Sequence, residues 1–200
     1  AQKPLETRDQ SKLMILNRES ESIKHEIFTH LPQVIPSQAL MVFNDTQVIP
    51  SKLHGFLKKN ARPVEVLLVR ETTDENHWEV LVKGLSNLRP GTEMEFGNGE
   101  LKAILARRQE NKAILKLVYK GQLDSILSRI GRMPLPPYIQ RKTIEDEGLS
   151  EQDRERYQTV FARHAGAIAA PTAGLHFTPH IIESLKNNSI NTTYLTLHVG

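Results

Sequence analysis

The sequence predicts an α/β domain into which a small antiparallel β-barrel is inserted. Both flanks of the 200-residue chain alternate short apolar runs with helical patterns, as α/β domains do. The middle segment instead carries several short strand patterns separated by turn residues, which is typical of a small barrel or sandwich. We therefore place the barrel domain at residues 46–120 and a discontinuous α/β domain at residues 1–45 plus 121–200.

The first flank is expected to begin with a strand and a helix. Residues 12–17 form a short apolar run that is typical of a buried strand. Residues 20–31 carry Ile23, Ile27 and Leu31 at four-residue intervals, which favours an amphipathic helix.

A second strand is predicted over residues 39–44. Its apolar run is continuous, which indicates a strand covered on both faces. The polar triplet at residues 44–46 follows, and such residues suit turns and ligand contacts.

The barrel segment shows the alternation of half-buried strands, for example around Val66 and Val80. Turn signals such as the Gly97-Asn98-Gly99 triplet separate the strands. Residues 52–120 hold 13 Lys and Arg against 9 Asp and Glu, so this segment carries the positive charge of a chain whose net charge is +3. That bias favours contact with a polyanion, and a solvated basic surface is the alternative.

The second flank begins with a predicted helix at residues 122–130, which a glycine cap at Gly131 would end. The prolines of residues 133–139 then fix an extended path, which would hold the Tyr138 side chain in a set place; the alternative is a rigid linker between domains. Residues 142–152 are charged and are expected to form a mobile loop, and a capping box at Ser150 would start the next helix.

The most informative stretch is the small-residue loop at residues 169–180. A strand at 166–170 leads into it, and Thr178 followed by Pro179 indicates the N-cap and first residue of a helix. Such a loop should present free backbone N–H groups and the positive end of a helix dipole to a ligand. A last strand at 193–199 ends the chain, and we expect both ends to be cut and the α/β sheet to be incomplete.

Composition excludes several classes of protein. The chain has no Cys, which excludes disulfides and thiolate metal sites. It has no apolar run long enough to span a membrane and no signal-peptide pattern, so we expect a soluble, cytoplasmic protein without membrane contact. His176 and His180 have the spacing of a helical metal pair, but Pro179 separates them, so we expect no metal site.

Polar groups at the predicted strand ends remain as candidates for chemistry. In open α/β sheets such ends meet at the ligand crevice. The candidates are the triplet 44–46, Thr172, His176 and His198. Histidines suit proton transfer near neutral pH; the alternative for each is a hydrogen-bonded, partly buried side chain.

Five motifs resemble the signatures of one family, the S-adenosylmethionine:tRNA ribosyltransferase-isomerases of queuosine biosynthesis. They are residues 44–53 (NDTQVIPSKL), 133–139 (MPLPPYI), 153–162 (DRERYQTVFA), 169–178 (AAPTAGLHFT) and 196–200 (TLHVG). They occur in the family's order and cover the chain. Family members begin earlier and continue further, and the charged stretch at 142–152 is longer than usual and is expected to be disordered or to touch RNA.

The resemblance implies an α/β domain with an inserted barrel, and a reaction. The ribosyl part of S-adenosylmethionine moves to 7-aminomethyl-7-deazaguanine at the tRNA wobble position and is rearranged to epoxyqueuosine, with release of adenine and methionine. S-adenosylmethionine is then a substrate, no cofactor is tightly bound, and tRNA is the partner of an enzyme that we expect to be a monomer. The alternatives are a non-catalytic RNA-binding module and an S-adenosylmethionine-dependent tRNA methyltransferase.

The resemblance also implies roles for residues of this chain, although no single role can be assigned to a single acid or base. The candidates for proton transfer are His176, His198 and Asp45. The candidates for holding S-adenosylmethionine are Asn44, Thr46, Pro171, Thr172, Ala173, Gly174 and Leu175, with the helix after Thr178 facing the methionine carboxylate. The candidates for holding a base or the tRNA backbone are Tyr138, Arg156, Tyr157, Lys52, Lys58 and Arg62.

Overall fold

The computed structural model describes residues 2–139, 141 and 147–199. The strands, in chain order, are β1 (Lys12–Asn17), β2 (Ser22–Ile27), β3 (Leu40–Asn44), β4 (Thr46–Val48), β5 (Lys52–Leu57), β6 (Pro63–Glu71), β7 (His77–Val82), β8 (Glu93–Phe96), β9 (Leu101–Arg108), β10 (Ala113–Tyr119), β11 (His164–Ala167) and β12 (Asn191–Leu195). The helices are α1 (Leu31–Val34), α2 (Leu123–Ile130), α3 (Glu147–Arg156) and α4 (Pro179–Asn187).

Strands β5 to β10 form a closed antiparallel barrel in the order β10-β7-β6-β5-β8-β9. Alternate residues point inward and fill it, and Leu53, Met94 and Leu115 are fully buried. Ile126 and Leu127 of α2 pack on the same core. Closure leaves the sheet without an edge, and the predicted fold class, an α/β part with a small inserted barrel, is confirmed.

The α/β part contains two parallel strand pairs, β3 with β12 and β4 with β11. Aromatic rings fill its core, where Phe177 meets both Phe28 and Phe43 edge-on at 5.0 Å between ring centroids. Ile181 and Leu185 of α4 complete this core. Strand β4 lies inside the segment 46–120 but pairs with β11, outside the barrel.

The helix predicted for residues 20–31 is wrong, because β1 and β2 form an antiparallel hairpin there. The side chain of Asn17 accepts hydrogen bonds from the backbone N–H groups of Glu19 and Ser20, which favours a tight turn over a helix start. The four-residue spacing of Ile23 and Ile27 also places both on one face of a strand, because four is a multiple of the strand period of two.

The prediction that the strands at residues 12–17 and 39–44 are buried is also wrong. Met14 in β1 and Leu40 and Val42 in β3 are all more than half exposed. A continuous apolar run therefore does not show that both faces of a strand are covered within this chain.

Element boundaries in the second flank differ from the predicted ones. Strand β11 starts and ends earlier than the predicted 166–170, and β12 ends at Leu195 rather than at 199. Helix α3 begins at Glu147, before the predicted cap at Ser150, and residues 142–146 of the predicted mobile loop lie outside the described residues.

Gly131 ends α2 as predicted, but not as a left-handed cap. Its φ is −80° and its N–H donates to the carbonyl of Leu127. A Cβ at this position would lie 1.9 Å from the carbonyl oxygen of Pro50. Glycine is thus required by a close approach of two backbones.

Among the described residues, no helix is long and apolar enough to cross a membrane.

Candidate active site

The polar triplet at the end of β3 holds three consecutive residues after β12. Asn44 Nδ2 donates to the carbonyl of Leu197 at 2.8 Å, and the Leu197 N–H donates back to Asn44 Oδ1 at 3.0 Å. The Thr196 hydroxyl donates to Asp45 Oδ1 at 2.7 Å. Residues 44–46 and 196–198 therefore form one unit, which we call the triplet clasp.

The clasp places His198. Its Nδ1 lies 2.7 Å from the Thr46 hydroxyl, and its ring lies over Gly166, where a Cβ would come within 2.8 Å of the imidazole. His198 is exposed, and its Nε2 makes no hydrogen bond within the part of the chain that the structure describes. An imidazole fixed through one nitrogen and open at the other is suited to proton transfer.

Asp45 lies where the chain changes strand partner. Its backbone N–H donates to the carbonyl of Leu195, at the end of the pairing between β3 and β12. Its own carbonyl accepts from the backbone N–H groups of Arg163 at 2.7 Å and His164 at 3.3 Å, at the start of β11. The carboxylate is buried, and Oδ2 lies 3.7 Å from His164 Nε2. Asp45 is thus a structural junction as well as a candidate base.

A second group of candidates lines a crevice of about 420 Å³. Its lining includes Tyr138, Arg156, Tyr157, Thr172, Leu175 and His176. The volume is that of a pocket for a small organic ligand. The described contacts therefore put His176 in this crevice and His198 in the triplet clasp.

His176 ends a 3₁₀ turn at Thr172–His176 that leads into α4. Its ring packs against Phe28, with 5.3 Å between the ring centroids, and is half-buried. Gly174 lets this turn approach the core, because a Cβ there would lie 2.8 Å from Thr159. Of the remaining loop residues, Thr172 and Ala173 are exposed and Pro171 is half-buried.

Tyr157 and Tyr138 occupy different environments. Tyr157 is buried against Val48, Met133 and Ala170. Burial raises the pKa of its hydroxyl, and a hydrogen bond with the Ala170 backbone offsets part of that rise. Tyr138 is 67% exposed, so its ring is open for stacking.

Arg156 holds the start of the chain against α3. Its guanidinium donates to the carbonyls of Leu5 and Glu6, and Arg8 in return donates to the carbonyls of Glu155 and Gln158. Burial lowers the pKa of Arg8, and the neighbouring Arg156 lowers it further. A role for Arg156 in base binding stays a prediction, and its guanidinium already has protein partners.

The start of the chain also lines the crevice, which the sequence did not indicate. Residues 2–5, Arg8 and Ser11 contribute to its wall, as does Arg141, which makes a two-pronged ion pair with Asp153. Pairing across about 150 residues of sequence has no local pattern.

The N-terminus of α4 faces a carboxylate of the protein itself. Thr178 caps the helix by accepting from the Ile181 N–H, and its hydroxyl donates to Asp9 Oδ2 at 3.1 Å. Asp9 is buried. The positive helix end that we expected to face the methionine carboxylate is therefore next to Asp9.

The barrel candidates differ in their partners. Lys52 pairs with Glu65 at 3.2 Å and Lys58 with Glu93 at 2.6 Å, whereas Arg62 makes no ion pair with the described residues. Within those residues, no group of three His, Cys, Asp or Glu lies close enough together to hold a metal ion.

The fold and the candidate site are those of an α/β protein with an inserted barrel, a crevice of about 420 Å³ and a histidine held between strand ends. The family described as "Queuosine biosynthesis protein" matches residues 1–200, so the chain belongs to this family. The resemblance that the five motifs gave is thereby confirmed.

Two curated relatives carry the name S-adenosylmethionine:tRNA ribosyltransferase-isomerase. The protein from Caldanaerobacter subterraneus is 43% identical and that from Halothermothrix orenii is 42% identical. Each match covers 100% of this chain and 56% of the relative, so the chain spans about half the length of the curated relatives it matches. A crystal structure of S-adenosylmethionine tRNA ribosyltransferase from Thermotoga maritima is 28% identical, with a TM-score of 0.36, and the match covers 100% of this chain and 54% of that one.

Proposed function

We propose that the protein transfers the ribosyl part of S-adenosylmethionine to 7-aminomethyl-7-deazaguanine at the tRNA wobble position. The sugar is then rearranged to give epoxyqueuosine, and adenine and methionine leave. The observation that carries this proposal is the family membership of the whole chain, together with the relatives' name. S-adenosylmethionine is a substrate in this reaction.

The crevice is the proposed site for S-adenosylmethionine. The turn at Thr172–His176 contributes Thr172, Leu175 and His176 to its lining, and Tyr138 and Tyr157 line it as well. Asn44 and Thr46 contribute by holding Leu197 and His198 in the triplet clasp. Tyr138 is open to stack on a base.

The reaction needs proton transfers that the candidate residues can supply. The sulfonium acidifies the neighbouring sugar carbon, so a base can begin the reaction by removing its proton. Adenine leaves more readily when it accepts a proton, and the aminomethyl group must be neutral to attack. We assign these transfers to His176, His198 and Asp45 as a group.

The proposed partner is tRNA, which the barrel holds through Lys52, Lys58 and Arg62. The positive charge of the barrel segment supports this assignment. We further propose that the enzyme acts as a monomer in the cytoplasm.

The test is to incubate the full-length protein with S-adenosylmethionine and tRNA that carries the deazaguanine precursor. Equal amounts of released adenine and methionine, with epoxyqueuosine in the digested tRNA, are the expected result. S-adenosylhomocysteine in their place would show a methyltransferase. Tight tRNA binding without any release would show a non-catalytic RNA-binding module.

A further inference from the structure

An exposed phenylalanine stands on the outer face of the barrel. Phe56 lies in β5, where Leu53 and Leu57 point into the core, and 56% of it is accessible. Its cross-strand neighbours are Pro63 in β6 and Glu95 in β8. Nothing in the described fold requires an aromatic ring there, since alternation alone would place a polar residue at this position.

Two shallow grooves flank the ring, and cations outnumber carboxylates in both. The groove on the β6 side is lined by Phe56 with Arg62, Lys83 and Glu65, and that on the β8 side by Phe56 with Lys58, Arg132 and Glu95. Arg62, Lys83 and Arg132 make no ion pair with any residue that the structure describes. Unpaired cations on both sides of an exposed ring make this face complementary to a polyanion.

This face is connected to the crevice by a short, stiff segment. The backbones of Lys52 and Arg132 exchange hydrogen bonds at 2.8 and 3.1 Å, which ties the end of α2 to β5. Six residues later Tyr138 lines the crevice. Since an extended chain advances about 3.5 Å per residue, Arg132 and Tyr138 are at most about 21 Å apart. One folded RNA can reach both.

We propose that Phe56 is a stacking platform for an unpaired base of the bound tRNA, with the cations of the two grooves contacting the phosphates next to that base. An aromatic ring between cations is the arrangement that binds single-stranded nucleic acid, because every base has a face that can stack. A protein partner would not need unpaired cations on both sides of one ring. The inference rests on the proposed function, because it takes the enzyme's tRNA as the RNA bound.

The test measures tRNA affinity and turnover separately in the full-length protein. Phe56→Ala is expected to weaken tRNA binding about 10-fold, within the range of the loss of one stacked base. Phe56→Leu should weaken it nearly as much, whereas Phe56→Tyr should keep it. Val118→Ala is the matched control, because Val118 is an exposed apolar residue on β10, the strand opposite β5 in the barrel.

A fluorescence measurement tests the stacking itself. Trp78 is the only tryptophan of the sequence, and its buried Nε1 makes no hydrogen bond to the residues that the structure describes, so Trp78→Phe is a suitable background. In that background, Phe56→Trp should lose emission on addition of tRNA. A Val118→Trp variant in the same background should not.

The outcomes separate this inference from the proposed function. Equal tRNA affinity of the wild type and Phe56→Ala overturns the stacking assignment. Adenine release by both proteins would then leave the proposed function standing. Weaker binding by Phe56→Ala in a protein that never releases adenine supports the surface and overturns the reaction. A wild-type protein that binds no tRNA overturns both.

Discussion

Gly166→Ala tests whether the position of His198 controls turnover. The Cβ that this change adds would lie 2.8 Å from Cε1, 2.9 Å from Nε2 and 3.0 Å from Nδ1 of the His198 ring. Ordinary contact begins at 3.4 Å. Because the obstacle is an exposed side chain, the ring gives way rather than the backbone, and it must retreat by roughly half an ångström.

The size of the effect follows from that displacement. The hydrogen bond between Thr46 and His198 is 2.7 Å long, and a shift of roughly half an ångström strains or breaks it. A misplacement of about 1 Å can cost about 100-fold in rate, so we expect kcat to fall about 10-fold. Gly166 has a φ of +150°, so alanine there also costs about 1–3 kcal/mol of folding stability.

Two controls separate the displacement from the backbone strain. Gly121 has a φ of +87°, and no atom of the described residues lies within 4 Å of an added Cβ, so Gly121→Ala imposes strain of a similar kind without a clash. Gly166→Ala is also combined with His198→Ala. If the change acts through the ring, it should lower kcat in the wild type and have almost no effect in the His198→Ala background.

The assay is adenine release at saturating S-adenosylmethionine and tRNA, with Tm measured in parallel. The reasoning is refuted if Gly166→Ala turns over like Gly121→Ala. It is also refuted if the effects of Gly166→Ala and His198→Ala multiply, since the loss would then not pass through the imidazole.

Three further predictions concern other parts of the molecule. His176→Ala should lower turnover about 100-fold or more in a protein that still folds, as expected for a general acid or base, and near wild-type turnover in a folded protein would remove it from the candidates. Arg62→Ala should reduce the slope of log K for tRNA binding against log salt by about 0.7–0.9, because one phosphate contact is lost; an unchanged slope would contradict a contact there. Asp9→Asn should lower Tm by about 2–4 °C, because it removes about 1 kcal/mol of charge–dipole stabilisation at the N-terminus of α4; an unchanged Tm measured by calorimetry would show that the carboxylate charge does not stabilise the helix.

The barrel could be predicted from sequence because its strands are consecutive and each has the alternation of a surface with one buried face. Along β6, Val64, Val66 and Leu68 repeat at a spacing of two residues and are all buried. Such local regularity is what sequence patterns report best. The helix predicted over residues 20–31 failed for the opposite reason, since a spacing of four residues fits two periods of a strand as well as one turn of a helix.

The candidate site was predicted in part, because strand ends carry recognisable polar residues. Asn44, Thr46 and His198 all lie in the triplet clasp. Sequence could not show that His176 contacts a different group of residues, because this depends on how the flanks pack. It also could not show that residues 2–5 line the crevice, since the hydrogen bonds that hold the start of the chain reach across the whole sequence.

The triplet clasp means that loss of activity at Asn44 or Asp45 would not by itself identify a ligand contact. The side-chain amide of Asn44 already has partners in the protein, because it exchanges two hydrogen bonds with the Leu197 backbone. Asp45 likewise bonds to Thr196 and to the backbone on both sides of the strand switch. Removing either residue would free the segment that carries His198. A catalytic role for Asp45 therefore requires a change in the chemistry of the reaction, such as a shifted pH profile, while His198 stays in place beside Thr46.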